Sequence, residues 1–177
     1  MTKKIYPRFF DENEWTAFSN EFAHESDRAS IILGAAYLDD LLEQLIAGFL
    51  VDDQNAMGEL LDGNRPYAPL STFSARITAA YCLGLIDYTQ YQDLKTIKRI
   101  RNLFAHGLQG LSFQNENIIQ ECQKLKTHRM AHIPKDVREE FLLTVLILST
   151  DIQIQARQAL KERRSRPSYY DFIEKPS

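Results

Sequence analysis

The chain has 177 residues, of which 44% are hydrophobic and 25% are charged, and its formal net charge is −3. This length suffices for one domain with a hydrophobic core. The slight negative charge excludes a global positive field that would attract nucleic acid, so such a contact would need a local basic patch. The composition is that of an ordinary globular protein.

We expect neither a signal peptide nor a membrane-spanning segment in this sequence. The N-terminal segment MTKKIYPRFF lacks the long apolar region of a signal peptide. The longest apolar run, FLLTVLIL over 141–148, is shorter than the roughly 20 residues that a membrane-spanning helix needs. The two cysteines, Cys82 and Cys122, have no metal-ligand spacing and are expected to be reduced structural thiols. We therefore expect a cytoplasmic protein with no cofactor, no metal and no membrane partner.

Apolar residues recur every three or four positions along most of the chain, which is the spacing of amphipathic helices. Ser26, Ser71 and Asp87 are typical helix-capping residues, and Gly84 is a typical helix stop. These signals predict helices over 12–24, 27–50, 54–61, 72–84, 88–106, 116–126 and 135–164. No alternating run of β-branched residues favours a sheet. The predicted fold is an all-α, single-domain helical bundle with two long central helices and several shorter ones.

The predicted organisation has three parts. An N-terminal helical extension covers 1–24, the helical bundle covers 25–165, and a C-terminal tail covers 166–177. No internal repeat or low-complexity tract indicates a second domain. The apolar residues of the tail could dock on a partner, on a second protomer or on the same bundle: Tyr169, Tyr170, Phe172 and Ile173.

The segment RNLFAH, residues 101–106, ends the predicted helix over 88–106. On a helical wheel, Arg101 lies within about 60° of Leu94 and Phe104, which predicts that it faces the apolar stripe. A guanidinium there needs an anionic partner, because an unpaired buried charge is costly. The predicted partners are the acids in the middle of the long apolar helix: Asp39, Asp40 and Glu43.

The same segment carries a candidate catalytic pair. Asn102 and His106 are four residues apart and therefore neighbours on one helix face. A histidine in the last helical turn, beside a charged arginine, could cleave RNA without a metal. The histidine would transfer a proton, and Arg101 would stabilise the charged phosphorane. A salt bridge of the arginine and a helix-end role of the histidine remain the simpler alternative.

The segment RNLFAH resembles the Arg-x4-His motif of the HEPN superfamily, including the polar residue after the arginine. HEPN domains are small α-helical bundles, and many are dimeric, metal-independent endoribonucleases of toxin–antitoxin, defence and RNA-processing systems. The resemblance implies catalytic roles for Arg101, Asn102 and His106 at a dimer interface. It also implies RNA as the substrate and an antitoxin as a partner.

A longer region, from about Ser30 to His106, resembles the mannitol operon repressor (MtlR) family. The resemblance rests on the long apolar helix, on LLDGNRPYAPLSTFSARITAAYCLGLID and on the helix that ends in RNLFAH. It implies an all-α transcriptional regulator of sugar-alcohol operons. Since that family has no obvious DNA-reading module, the resemblance implies an accessory role through a protein partner such as a transcription factor.

Two further groups of residues are candidate binding residues. Lys98 and Arg99 beside the motif, with Arg163 and Arg164 near the C-terminus, could contact nucleic-acid phosphates. The alternative is a solvated helix end whose cations complement the helix dipole. The histidines outside the motif have no acid or cysteine that would complete a metal site, and they are expected to lie at the surface: His24, His128 and His132.

The sequence therefore predicts an MtlR-like regulator or co-regulator that acts through protein contacts, with nucleic-acid contacts as an option, and that forms a homodimer. The alternative is a metal-independent endoribonuclease that uses the Arg101-x4-His106 motif. Both hypotheses place the functional residues at the end of the same helix.

Overall fold

The computed structural model describes residues 11–106, 110–127 and 134–168, except for the side chains of Glu12 and His106. Within these ranges the chain forms helices and no strand, so the predicted all-α bundle is confirmed. No described helix combines the length and the apolar character that crossing a bilayer requires. The helices are α1 (Glu12–His24), α2 (Asp27–Phe49), α3 (Gln54–Leu61), α4 (Phe73–Cys82), α5 (Tyr88–His106), α6 (Glu116–Cys122) and α7 (Val137–Lys161).

Side-chain caps fix where the helices begin. Asp87 accepts a hydrogen bond from the backbone N–H of Gln90 at 2.9 Å, and the Gln90 side chain accepts one from the N–H of Asp87 at 3.0 Å. This reciprocal pair satisfies two amides that the first turn of α5 leaves free. The predicted cap of α4 at Ser71 is wrong by one residue, since the Thr72 hydroxyl accepts from the N–H of Ala75 at 3.2 Å.

Helix α6 is shorter than the predicted segment over 116–126. It ends at Cys122, because the buried carboxylate of Asp93 on α5 accepts hydrogen bonds from the backbone N–H groups of Lys126 and Thr127. The Asp93–Thr127 bond measures 2.7 Å. An acceptor from another helix therefore replaces the carbonyls that a longer α6 would have used.

Helices α2 and α7 lie side by side and run parallel. At their N-terminal ends, Arg138 of α7 pairs with Asp27 of α2 at 2.5 Å. At their C-terminal ends, the backbone N–H of Arg164 donates to the carbonyl oxygen of Phe49 at 2.9 Å. This bond turns the chain across the end of α2, and α7 stops at Lys161 rather than near 164 as predicted. The pair forms the centre of the bundle, with twelve α2 residues buried.

Helix α1 packs against this pair through Phe22, which is fully buried. A Cβ atom added to Gly34 of α2 would lie 3.1 Å from the Phe22 ring and 3.2 Å from Val145 of α7. The glycine therefore lets three helices approach closely at one point. The boundary between the predicted extension over 1–24 and the bundle stays a prediction, although Phe22 shares the core of the bundle.

Helices α4 and α5 cover another side of α2. Helix α5 runs antiparallel to α2, because Arg28 at the start of α2 donates to the carbonyl oxygen of Phe104 near the end of α5 at 2.6 Å. Helix α4 runs antiparallel to α5, since Lys98 contacts Ser74 while the Tyr81 and Tyr91 rings stack. Helix α4 therefore has one side on the bundle and one side open to solvent.

We expect Gly34→Val to lower the free energy of unfolding by about 1–3 kcal/mol, because the added methyl groups would overpack the contact with Phe22 and Val145. Ala36→Val on the exposed side of the same helix is the matched control, and we expect its effect to stay within about 1 kcal/mol. Urea unfolding monitored by circular dichroism measures both. Equal losses would show that the close approach at Gly34 is not a constraint.

Candidate functional site

Arg101 lies at the surface of α5 rather than in the apolar stripe. Its side chain is exposed, and its guanidinium donates a hydrogen bond to Oδ1 of Asn102 at 3.1 Å. The prediction that Arg101 faces inward is therefore wrong. The wheel placed it from Leu94, Ile97 and Phe104, but Ile100 and Asp93 are also fully buried. With these two residues included, the centre of the buried face lies about 50° from Arg101.

The remainder of the motif is described only in part. Asn102 is half-buried, and His106 is the last residue of α5. The His106 side chain and Gly107 lie outside the described residues, as do His128, His132 and the apolar residues of the tail. The catalytic roles of Arg101, Asn102 and His106 therefore stay predictions.

The acids of α2 pair with Arg76 of α4 instead of Arg101. Arg76 donates to Asp39 Oδ1 at 2.7 Å and to Glu43 Oε2. Both Arg76 and Glu43 are 6% exposed, so the charges meet in the interior. The prediction that these acids pair with Arg101 is therefore wrong. Asp39 and Glu43 do pair with an arginine, but it is Arg76 of α4. Asp40 is exposed and accepts from the Gln44 amide at 2.6 Å.

Two backbone carbonyls complete the surroundings of Arg76. Its Nε donates to the carbonyl oxygen of Leu70 at 2.9 Å, and Nη2 donates to that of Leu61 at 3.0 Å. Leu61 ends α3 and Leu70 belongs to the loop before α4. One guanidinium therefore joins α2, α3, this loop and α4. A charge can stay buried when hydrogen-bond acceptors surround it, as these two carboxylates and two carbonyl oxygens surround Arg76.

Burial raises the pKa of Asp39, and hydrogen bonding and attraction from Arg76 oppose that shift. The charge of Arg101 lowers the pKa further, whereas that of Asp40 raises it. Arg101 therefore lies within electrostatic range of Asp39 without forming an ion pair with it among the described contacts. The site has two acids facing one arginine, and Arg101 supplies a second, distant positive charge.

Three of the four residues predicted to bind nucleic acid have partners within the chain. Lys98 donates to the Ser74 hydroxyl at 2.8 Å. Arg99 pairs with a Glu121 oxygen at 3.2 Å. Arg163 pairs with Asp52 at 3.0 Å, and it also donates to carbonyl oxygens at the end of α2. Arg164 is exposed. Phosphate binding by these residues stays a prediction, but Arg163 already caps α2.

Metal and thiol chemistry find no support in the described part of the chain. No cluster of three or more potential ligands occurs there. Cys82 is exposed, whereas Cys122 is buried, and burial raises the pKa of the Cys122 thiol to about 12. A thiol with such a pKa stays protonated at neutral pH and is inert as a nucleophile.

Sequence reasoning missed an aromatic cluster where α4 turns into α5. The Tyr81 and Tyr91 rings stack with centroids 4.5 Å apart, and the Tyr88 ring lies 6.1 Å from that of Tyr81. Tyr88 is 62% exposed. The three-residue spacing of Tyr88 and Tyr91 on α5 is a signal for part of the cluster, but the pairing of α4 with α5 is needed to bring Tyr81 to them.

Comparison with known proteins gives the family. A family model described as mannitol repressor (MtlR) matches residues 22–161. The chain belongs to the MtlR family. A comparison with curated proteins gave no match. The HEPN resemblance rests on the six residues of the motif, and it stays a prediction.

A solved structure shares the fold. It is the X-ray structure of the MtlR–HPr complex from Escherichia coli, with a TM-score of 0.64 and 21% sequence identity. The match covers 77% of this chain and 99% of that one. At this identity, the match establishes the helical architecture of MtlR for this chain.

We expect Arg76→Met to lower the free energy of unfolding by about 3–5 kcal/mol near neutral pH, because two acids would lose their partner. Without Arg76 the pKa of Asp39 rises further, so the folded variant binds protons more tightly than the unfolded one. Its free energy of unfolding relative to the unsubstituted protein therefore falls as pH rises and recovers as pH falls.

Urea unfolding between pH 5 and pH 8 measures this difference. Arg99→Met is the matched control, because Arg99 is exposed and its partner Glu121 keeps a second cation, Lys124, when Arg99 is removed. We expect it to cost less than about 1 kcal/mol. Similar losses in both variants, or a loss in Arg76→Met that does not change with pH, would contradict the assignment.

Proposed function

We propose that this chain is a regulatory protein of the MtlR type that acts by binding another protein. The observation that carries the proposal is the fold, which the chain shares over 77% of its length with an MtlR whose structure was determined as a complex with HPr. We infer that HPr, or a protein of the same kind, is the partner of this chain. The description of the family as a mannitol repressor supports a role in transcription regulation.

The distribution of charge supports a protein partner rather than direct operator binding. The net charge is −3, and the basic residues Arg99 and Arg163 are paired with Glu121 and Asp52. Protein binding to DNA gains most of its affinity from cations that neutralise phosphates. Cations that already face carboxylates of their own chain contribute little to such binding.

A homodimer is a further part of the proposal. The chain has one motif histidine, which suits a single proton-transfer role, and a regulator can also use two identical surfaces. Light scattering on the purified protein measures the mass directly. A mass of one chain at micromolar concentration would remove this part and leave the regulatory role intact.

We expect the purified chain to bind Escherichia coli HPr with a Kd below about 100 μM, the range of transient regulatory complexes. Isothermal titration calorimetry measures this affinity, with lysozyme as a control for non-specific binding. Heats no larger than those with lysozyme would contradict the proposed function.

The ribonuclease alternative has one observation in its favour, the exposed guanidinium of Arg101 beside Asn102. It predicts cleavage of labelled RNA in the presence of EDTA, lost in both Arg101→Ala and His106→Ala. We expect the unsubstituted protein to leave RNA as intact as the two variants do. Cleavage that both substitutions abolish would contradict a purely regulatory role.

A further inference from the structure

Helix α7 carries aliphatic residues on the side that faces away from the core. Its buried residues centre on the side that packs against α2 and the other helices. On the opposite side, three aliphatic residues and one threonine recur every three or four positions: Leu143, Ile147, Thr150 and Ile154. Leu143 and Ile147 are half-buried, whereas Ile154 is 59% exposed. We call these four residues the outer stripe of α7, since the outer side of a helix in a bundle is ordinarily polar.

Charged residues continue the outer stripe at both of its ends. Asp136 and Glu139 precede it at the start of α7, and Arg157 and Lys161 follow it at the end of the helix. At about 100° per residue, all four lie within about 40° of Leu143 on the helical wheel. Acids near the start and cations near the end complement the dipole of any helix. Here they also share one side with the outer stripe, which the dipole does not require.

The charges at the ends of the outer stripe are available to another molecule. Among the described residues, neither Asp136, Glu139 nor Lys161 forms an ion pair. The Asp136 carboxylate accepts from the backbone N–H of Glu139 at 2.8 Å, and the Glu139 carboxylate accepts from that of Lys135 at 2.5 Å. Each of these carboxylates keeps its charge, and each retains lone pairs that can accept from a cation.

The order of charged and apolar residues along α7 is self-complementary. The first and the last residue of the outer stripe lie at equal distances in sequence from a point between residues 148 and 149. The same point is midway between Asp136 and Lys161, and Glu139 and Arg157 are centred on residue 148. A second α7 that runs antiparallel about a two-fold axis at this point therefore places each acid opposite a cation. A parallel second helix would place acids opposite acids.

We propose that two copies of this chain form a two-fold homodimer through the outer stripe of α7, with the two α7 helices antiparallel. Leu143 of each copy then packs against Ile154 of the other copy, and Asp136 lies opposite Lys161. The inference rests on the homodimer part of the proposed function and deepens it by naming the surface. It does not depend on the binding of HPr.

A second copy fits this surface better than other classes of partner do. An apolar centre with a charged rim is the usual composition of a protein–protein interface. A nucleic acid would pair with Arg157 and Lys161, but its phosphates would be repelled by Asp136 and Glu139. The opposite charges at the two ends require a partner with the reverse order of charges at the same spacing. Helix α7 itself, read in the antiparallel direction, has this order.

Reversing one charge and then both separates pairing from folding, with sedimentation equilibrium as the measurement. We expect the unsubstituted protein to dimerise with a Kd below about 10 μM. Arg157→Glu and Glu139→Lys each place like charges opposite each other at two positions of the dimer, and we expect each to weaken dimerisation at least ~10-fold. The double variant Glu139→Lys/Arg157→Glu restores both pairs in reverse order. We expect its Kd to lie within about threefold of that of the unsubstituted protein.

Ile154→Glu tests the apolar part of the surface, because it places a charge within the outer stripe. We expect it to weaken dimerisation at least ~10-fold. Ile32→Glu is the matched control, since Ile32 is a 37% exposed isoleucine of another long helix. Lys126→Glu is the control for Arg157→Glu, because it makes the same change of charge at an exposed position outside α7. We expect both controls to dimerise within about twofold of the unsubstituted protein. Circular dichroism and thermal melting check that every variant folds.

Each outcome supports or overturns a separate part of the proposal. Dimerisation that survives Ile154→Glu and both single reversals would overturn this inference and leave the homodimer standing. A double variant that dimerises no better than either single reversal would overturn the antiparallel pairing. A mass of one chain at about 100 μM would overturn the inference together with the homodimer, and the titration with HPr then tests the regulatory role on its own. A monomer that melts at lower temperature in Ile154→Glu would assign the outer stripe to a segment of the same chain.

Discussion

The ion pairs of Arg76 with Asp39 and Glu43 hold the short helix α4 against the long helix α2. The same guanidinium binds the carbonyl oxygens of Leu61 and Leu70, and so it also fixes the end of α3 and the loop that follows. A buried arginine must have all its sides satisfied, because an unpaired charge in the interior costs several kcal/mol. Together with the buried residues Ile77 and Ala80 of α4, this side chain therefore positions the segment between α3 and α5.

This constraint has a consequence for the surface. Since Arg76 faces α2, the opposite side of α4 faces solvent and presents a groove lined by Ala75, Thr78 and Ala79. Asp39 and Glu43 of α2 pair with Arg76. Among the described contacts Arg101 forms no ion pair with them, and it lies exposed on α5. The ion pairs of the interior therefore help to decide which charges lie at the surface. The chain belongs to the MtlR family and shares its fold with an MtlR whose structure was determined as a complex with HPr.

Much of the fold could be predicted from the sequence, since helical spacing and capping residues are local signals. The described helices lie where these signals put them, and the errors are at their ends. Helix α6 ends early because Asp93 from α5 captures the following amides, which is a tertiary contact. The site was harder to predict. The sequence shows that Asp39 and Glu43 lie in an apolar helix and need a cationic partner. It does not show whether that partner is Arg76 or Arg101, because this depends on which helix packs against α2 at Asp39. The exposed tyrosine cluster likewise needs the pairing of α4 with α5.

The central claim is that this chain binds a regulatory protein partner while the outer stripe of α7 pairs with a second copy of the chain. Hydrogen–deuterium exchange of the chain, with and without saturating Escherichia coli HPr, tests it most directly, because exchange reports protection peptide by peptide. The account predicts slower exchange in peptides outside α7 when HPr is bound, with little change around Ile154 of α7, which it places against the second copy. Protection confined to α7, or no protection at saturating HPr, would contradict it.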